Sequence, residues 1–340
     1  MSEITTIGLD IAKHVFQVHG VDGCGVAALR RKLRRSEVLS FFQGIDPCLV
    51  GLEACATGHY WARELIALGH EVRLMPPTYV KPYVKRQKND AADAEAICEA
   101  VTRPTMRFVP VKSEEQQGLL MLHRTRELLI RQRTMLINAL RAHLAEFGIV
   151  MRQGKAGVDL LIALVEDDEH DLLPAMAREA LLPLTAQLED GRARIASIDR
   201  RIHAWHRSNE QSRRLETIPG IGPITASALV ATISDPSLFA SGRQLAAWLG
   251  LVPRQNSSGG KERLGRITKK GDPYLRRLLV VGAHAVLRYA RRMPTRTGLW
   301  ASALLARRSY KLAAVALANK MARIVWAVMS RNEDYRPQAA

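Results

Sequence analysis

Four acids could gather around one metal site, and two of them are placed where carboxylates are expensive. Asp10 ends the apolar run IGLD and Glu53 ends LVGLE, so each sits where a buried strand would stop. A charge in that position is costly unless it is paired or binds a cation. Asp90 and Asp93 lie three apart in KNDAADAEA, at the start of a helical pattern, a spacing that puts both on one helix face. Four oxygen donors around one small space suit a hard divalent cation, Mg²⁺ with Mn²⁺ as its substitute. Two such ions roughly 4 Å apart activate an attacking oxygen and stabilise a leaving one in phosphoryl transfer. Blander roles exist for single members. Asp90 and Asp93 also suit any helix N-terminus, Asp10 suits a turn, and Glu95 and Glu99 read as solvated helix residues. Glu53, after a hydrophobic run, is the hardest to explain in that way.

Two later stretches carry further chemistry. In IPGIGPITA, Gly220 and Gly222 allow a tight turn whose N–H groups could approach a phosphate beside a helix N-terminus. A Gly-Pro turn between core helices explains the same residues. In QNSSGGKERLGRITKKGD, Ser257 and Ser258 precede two glycines among Arg254, Lys261, Arg263, Arg266, Lys269 and Lys270. A serine there could attack a phosphodiester while the cations hold the nucleic-acid backbone. From composition alone, a Ser/Gly loop in a DNA-binding surface is the simpler reading.

The elements that would position the acids follow from local pattern. Ile4 to Leu9, Val15 to His19 and Ala27 to Leu33 read as an antiparallel meander, with a turn at Asp22-Gly23. Ser36 is a plausible N-cap for a helix over Glu37 to Phe42. A strand at Cys48 to Leu52, a helix at Gly58 to Leu68, a strand at Glu71 to Met75 and an Asn89-capped helix from Asp90 to Val101 complete β-β-β-α-β-α-β-α. That is the order of the RNase H-like fold, in which adjacent central strands bring Asp10 and Glu53 together and the last helix lays Asp90 and Asp93 across them. Beyond Pro110, Leu122, Leu129 and Leu136, then Leu140, Leu144 and Phe147, form one helical stripe. Arg124, Arg126, Arg131, Arg133 and Arg141 are expected on its exposed faces. A second stripe runs through Leu184, Leu188, Ile195, Ile198, Ile202 and Trp205. The two helices suit an antiparallel hairpin or a dimer coiled coil. The tail RNEDYRPQAA is expected to fray.

Composition narrows the partners. The 340 residues carry 50 Lys and Arg against 33 Asp and Glu, a net charge of +17. That surplus calls for an anionic partner, nucleic acid before a membrane. The apolar stretch Leu312 to Met329 is broken by Lys320 and Arg323, which suits a buried helix better than a membrane span. The N-terminus lacks a signal-peptide pattern, and four scattered cysteines read as reduced thiols, so a cytoplasmic protein is expected.

Together, GLDIAK, GLEA, KNDAADAEAI, PGIGPITA, LGLVPRQNSSGGKERLGRITKKGD and YLRRLL resemble the DEDD transposases of insertion sequences. That family includes the pilin-gene invertase relatives and the bridge-RNA-guided recombinases. The resemblance spans nearly the whole chain. It implies a RuvC-like catalytic domain over residues 1–110, a coiled-coil helical arm over 111–212 and a mainly α C-terminal transposase domain over 213–335. It implies Asp10, Glu53, Asp90 and Asp93 as metal ligands and a nucleophilic serine directly before the glycine, Ser258, with Ser257 as runner-up. A covalent phosphoserine–DNA intermediate, a homo-oligomer (dimer or tetramer) sharing sites between subunits, and a structured guide RNA are also implied. The main rival is a metal-dependent junction nuclease that uses water and forms no adduct, followed by a non-catalytic DNA-binding protein. An actin-like ATPase would need phosphate-binding glycine loops that are missing around Glu53.

Overall fold

Strands β1 (Ile4–Ile11), β2 (Val15–Asp22) and β3 (Ala27–Arg34) form an antiparallel meander in the computed structural model, which describes residues 3–85, 89–169 and 171–337. The turn after β2 is built by Asp22, whose Oδ1 accepts from the N–H groups of Cys24 (3.0 Å) and Val26 (2.9 Å). Then follow α1 (Val38–Gln43), β4 (Leu49–Glu53), α2 (Gly58–Ala67), β5 (Glu71–Met75), the short α3 (Pro77–Val80) and α4 (Asp90–Val101). The five strands form one sheet in the order β3-β2-β1-β4-β5, with β1–β4 and β4–β5 parallel.

Alternation along the strands splits the side chains between two faces. Ile7, Leu9, Phe16, Val18, Leu33, Val50, Leu52 and Leu74 pack against α1 and α2 through Val38, Phe42, Trp61 and Leu65. Trp61 meets Phe16 edge-on at 5.0 Å between centroids. The other face is covered by α4. Asn89 caps that helix as its sequence predicts, its side chain accepting from Ala91 N–H at 3.1 Å. Ser36 does not cap α1. It lies in a 3-10 turn over 35–37, and the carboxylate of Glu37 instead accepts from Arg34 N–H at 2.7 Å. The longer acid reaches back to an N–H group that the serine would have left open.

Residues from Glu114 onward form a second compact unit. Helices α5 (Glu114–Ala145) and α7 (Ala175–Ser208) run antiparallel, and α6 (Lys155–Glu166) packs at their far end. Leu119 meets Ile202 at one end; Leu140 and Leu144 share a cluster with Leu181 and Leu188 at the other. Several expectations for the stripe fail. The helix ends at Ala145, leaving Phe147 exposed; Arg126 turns inward to pair with Asp199 of α7; and Arg133 and Arg141 are half-buried rather than exposed. The rest comprises α8 (Glu210–Glu216), α9 (Pro223–Thr232), α10 (Gly242–Trp248), the hairpin β6 (Pro253–Gln255) and β7 (Leu264–Ile267), α11 (Pro273–Tyr289), α12 (Arg296–Arg307) and α13 (Tyr310–Arg331). Among the described residues α13 is the one helix long and apolar enough to cross a membrane, and half of that stretch is buried in the unit's own core. The tail is tied down as far as Tyr335, whose N–H donates to Thr217 Oγ1 at 2.9 Å while Arg214 donates to the Asn332 carbonyl. Residues 338–340 of the expected frayed segment lie outside the described residues. None of the four cysteines is in a disulfide.

Candidate active site

Register brings the first two acids side by side. Leu9 pairs with Leu52 across the parallel β1–β4 ladder, so Asp10 and Glu53 occupy the next row of adjacent strands. Both follow a glycine by two residues, in GLD and GLE, and therefore share that glycine's face. These glycines determine how closely the covering helix sits. A Cβ on Gly8 would lie 2.8 Å from Cys98 Cα, and closer still to the Ala94 carbonyl and the Cys98 N–H. A Cβ on Gly51 would lie 2.8 Å from Val101 Cβ. Helix α4 thus rests directly on the backbone of β1 and β4, and its first turn overhangs the strand ends that carry Asp10 and Glu53. Neither glycine was singled out from sequence, although the repeated Gly-x-acid pattern carried the signal.

Asp10 and Asp93 both lie close enough to Glu53 for their charges to act on it. Burial first, then the negative charges of Asp10 and Asp93, raise the Glu53 carboxyl above the ordinary glutamate range. Asp90 is exposed at the start of α4 and is not among the charges acting on Glu53. The structure therefore sets Asp10 beside Glu53 in the sheet and Asp93 within electrostatic reach of Glu53, while Asp90 is exposed and shares the helix face of Asp93 by its spacing. Among the described residues no three His, Cys, Asp or Glu side chains close into a ready-made metal cage. The donor set still fits a hard cation. It is all oxygen, it is like-charged, and one member is partly desolvated, so a divalent ion would relieve the repulsion that raises Glu53.

The two candidate serines are separated by their hydrogen bonds. Ser257 Oγ accepts from Arg263 N–H at 3.1 Å and helps close the hairpin loop. Ser258 begins its tip: Lys261 N–H donates to the Ser258 carbonyl at 3.1 Å, and the two residues between, Gly259 and Gly260, have φ of +57° and +76°. Both central residues of such a turn need positive φ, which accounts for the glycine pair. The Ser258 side chain is exposed, as are Arg254, Lys261, Arg263, Arg266, Lys269 and Lys270. Glu262 is exposed too. Gly220 has a packing reason of its own. At φ +86° it abuts α11, where an added Cβ would lie 2.7 Å from the Gly282 carbonyl oxygen. Gly222, the N-cap residue of α9, has open space around it.

The chain matches known sequences along nearly all of its length. A family model described as "Transposase IS116/IS110/IS902 family" matches residues 212–297, and a DEDD transposase model of the IS110 type matches residues 7–149. A probable family 20 transposase of Pseudomonas aeruginosa is 52% identical, covering 98% of this chain and 99% of its own. The transposase for insertion sequence element IS1328 of Yersinia enterocolitica is 41% identical over 97% and 98% of the two chains. A pilin gene-inverting protein of Moraxella bovis is 26% identical over 75% of this chain and 74% of its own.

Proposed function

Because the chain belongs to the IS116/IS110/IS902 family of transposases, enzymes that cleave DNA and transfer its strands, we propose that Asp10, Glu53, Asp90 and Asp93 form its metal-binding site and Ser258 its nucleophile. The observation that carries the proposal is the side-by-side placement of Asp10 and Glu53 at the ends of adjacent parallel strands, with the charge of Asp93 on α4 acting on Glu53. Asp90 joins them by its place on the shared face of α4. Mg²⁺ or Mn²⁺ bound there would supply Lewis-acid stabilisation of charge on the phosphate.

The protein side chains then have distinct parts. Ser258 gives up its hydroxyl proton and forms an Oγ–P bond. The bond from phosphorus to the leaving deoxyribose oxygen breaks, and that oxygen takes up a proton. The result is a phosphoserine–DNA adduct, resolved when a second DNA hydroxyl displaces the serine. The exposed cations around the hairpin, Arg254, Lys261, Arg263, Arg266, Lys269 and Lys270, hold the DNA backbone, with Gly222 offering a further N–H at the start of α9. In this reading residues 1–110 are an RNase H-like (RuvC-like) catalytic domain, 111–212 a helical arm and 213–335 the transposase domain that carries the serine. The exposed Arg124 and Arg131 of α5 suit a structured guide RNA, and a homo-oligomer would let the acids of one subunit serve the serine of another.

The test is adduct trapping on a denaturing gel with DNA from the ends of the element. Ser258→Ala binds DNA and forms no adduct, while Asp10→Asn stops the same step with the fold intact. Metal-dependent cutting by Ser258→Ala would favour a nuclease that uses water. Nuclease-treated protein should lose site-specific DNA binding and regain it on addition of the element's own transcript.

A further inference from the structure

The row of the sheet that holds Asp10 and Glu53 does not stop at those two acids. Asp10 pairs with Gln17 on β2, and Gln17 pairs with Lys32 on β3. Residues directly opposite in a ladder share a face, so Lys32, Gln17, Asp10 and Glu53 form one line under the first turn of α4. The next row back adds Arg30 and His19 on the same face, beside Gly8. A pocket of about 370 Å³ opens over this corner, lined by Gln17, His19, Arg30 and Lys32 from the sheet, by Asn89, the cap of α4, and by Glu95 of that helix. His19 is only 6% exposed.

The charges of this strand are divided between its two faces. The basic run of β3 alternates: Arg31, and Arg35 just beyond the strand, lie on the opposite face, their guanidinium groups over Phe41 and Trp61 at 5.3 and 5.1 Å. Arg30 and Lys32 are left on the acid side, exposed. The pocket's acid, Glu95, is already engaged by Lys85 at 3.0 Å. Cations on an edge strand also discourage edge-to-edge pairing. That accounts for charge on β3, but not for an open pocket in line with the row of carboxylates.

We infer that this pocket is a seat for a DNA backbone phosphate flanking the one that is cut, with Lys32 and Arg30 neutralising it and Gln17 donating to its oxygens. Lys32 stands two strand spacings, roughly 10 Å, from Asp10, and it lines the same pocket as Gln17 between them. A strand lying along the row would meet cations on β3 and carboxylates on β1 and β4. The anionic backbone would thus be held at one point and placed against like-charged acids at the next. DNA is the occupant favoured here because the acids beside the pocket are those proposed to act on DNA, and the inference rests on that reading of the site.

The experiment uses the full-length chain, DNA from the element's ends and a set of these duplexes in which single phosphates near the cut are neutral methylphosphonates. Wild-type cleavage should fall about tenfold when the flanking phosphate is neutralised. Lys32→Gln should show the same loss on natural DNA and no further loss on that modified duplex, with Lys32→Arg largely restored. The slope of log affinity against log salt should shrink by about 0.9 for Lys32→Gln and again for Arg30→Gln. Unchanged slopes, or losses that add to the methylphosphonate effect, overturn the assignment. A fall in RNA affinity alone, with DNA binding unaltered, overturns it as well. Cleavage by Asp10→Asn, in contrast, would count against the carboxylate site itself, so the two failures can be told apart.

Discussion

Gly8→Ala should cost this protein far more than one methyl group suggests. The new Cβ would stand 2.8 Å from Cys98 Cα and closer still to the Ala94 carbonyl and Cys98 N–H, all backbone atoms of α4. No rotamer change relieves that clash. Ordinary carbon contacts begin near ~3.5 Å, so the helix must retreat by on the order of 1 Å. Overpacking of this kind costs about 1–3 kcal/mol, a drop in Tm of several degrees for a unit this size. The functional loss should be larger. A 1 Å misplacement of a catalytic group costs on the order of 100-fold in rate, and α4 carries Asp93, one of the proposed metal ligands. The assay pairs a thermal scan with single-turnover DNA cleavage. A titration of Glu53 by NMR should also show its carboxyl moving back toward the ordinary range as Asp93 withdraws. Gly191→Ala in α7, where nothing lies within 4 Å of the new methyl, is the control and should be neutral or stabilising by up to ~1 kcal/mol. Full cleavage by Gly8→Ala at unchanged Tm would refute the idea that close helix–sheet contact sets the carboxylate spacing.

Three other outcomes are expected. Because burial, Asp10 and Asp93 raise the folded Glu53 carboxyl, the folded chain keeps that proton to higher pH than the unfolded chain. Its contribution to stability is then best below the unfolded glutamate value and is lost as pH rises through the folded one. Glu53→Gln should remove this slope and raise the Tm of metal-free protein at neutral pH, and matching Tm–pH profiles for the two proteins would defeat the assignment. His123 is held down to about 4, by burial first and then by Arg126, and it bonds Tyr274 Oη at 2.9 Å and Ser227 Oγ at 3.1 Å. Stability should therefore fall by about 3 kcal/mol as pH drops from about 6.5 to about 4, and denaturant titrations of His123→Gln should show a flatter dependence. Ser257→Ala removes the acceptor for Arg263 N–H, worth about 1 kcal/mol, so amide exchange at Arg263 should speed roughly fivefold while adduct formation persists.

The sequence by itself determined most of the strands and helices in the first hundred residues, though not the short α3 after Pro76, because those choices rest on neighbours. The alternation of Ile7 and Leu9 with Gly8 and Asp10, the Asp22 turn and the Asn89 cap each act within a few residues. It also placed Asp10 and Glu53 at strand ends and Asp90 and Asp93 on one helix face. Ser36 did not cap α1, because a 3-10 turn over 35–37 leads straight into the helix, with Glu37 accepting from Arg34 N–H at the start of that turn. Tertiary structure alone decided the remainder. Helix period places Asp93 on a face but says nothing of its height above the sheet, which depends on two glycines far apart in sequence, Gly8 and Gly51, meeting α4. Register across three strands aligned Lys32 and Gln17 with Asp10. A backbone N–H six residues away engaged Ser257 and left Ser258 at the turn. Local pattern assigns a residue's type of environment, whereas the distances that make a site chemical come from contacts between segments that the chain order keeps apart.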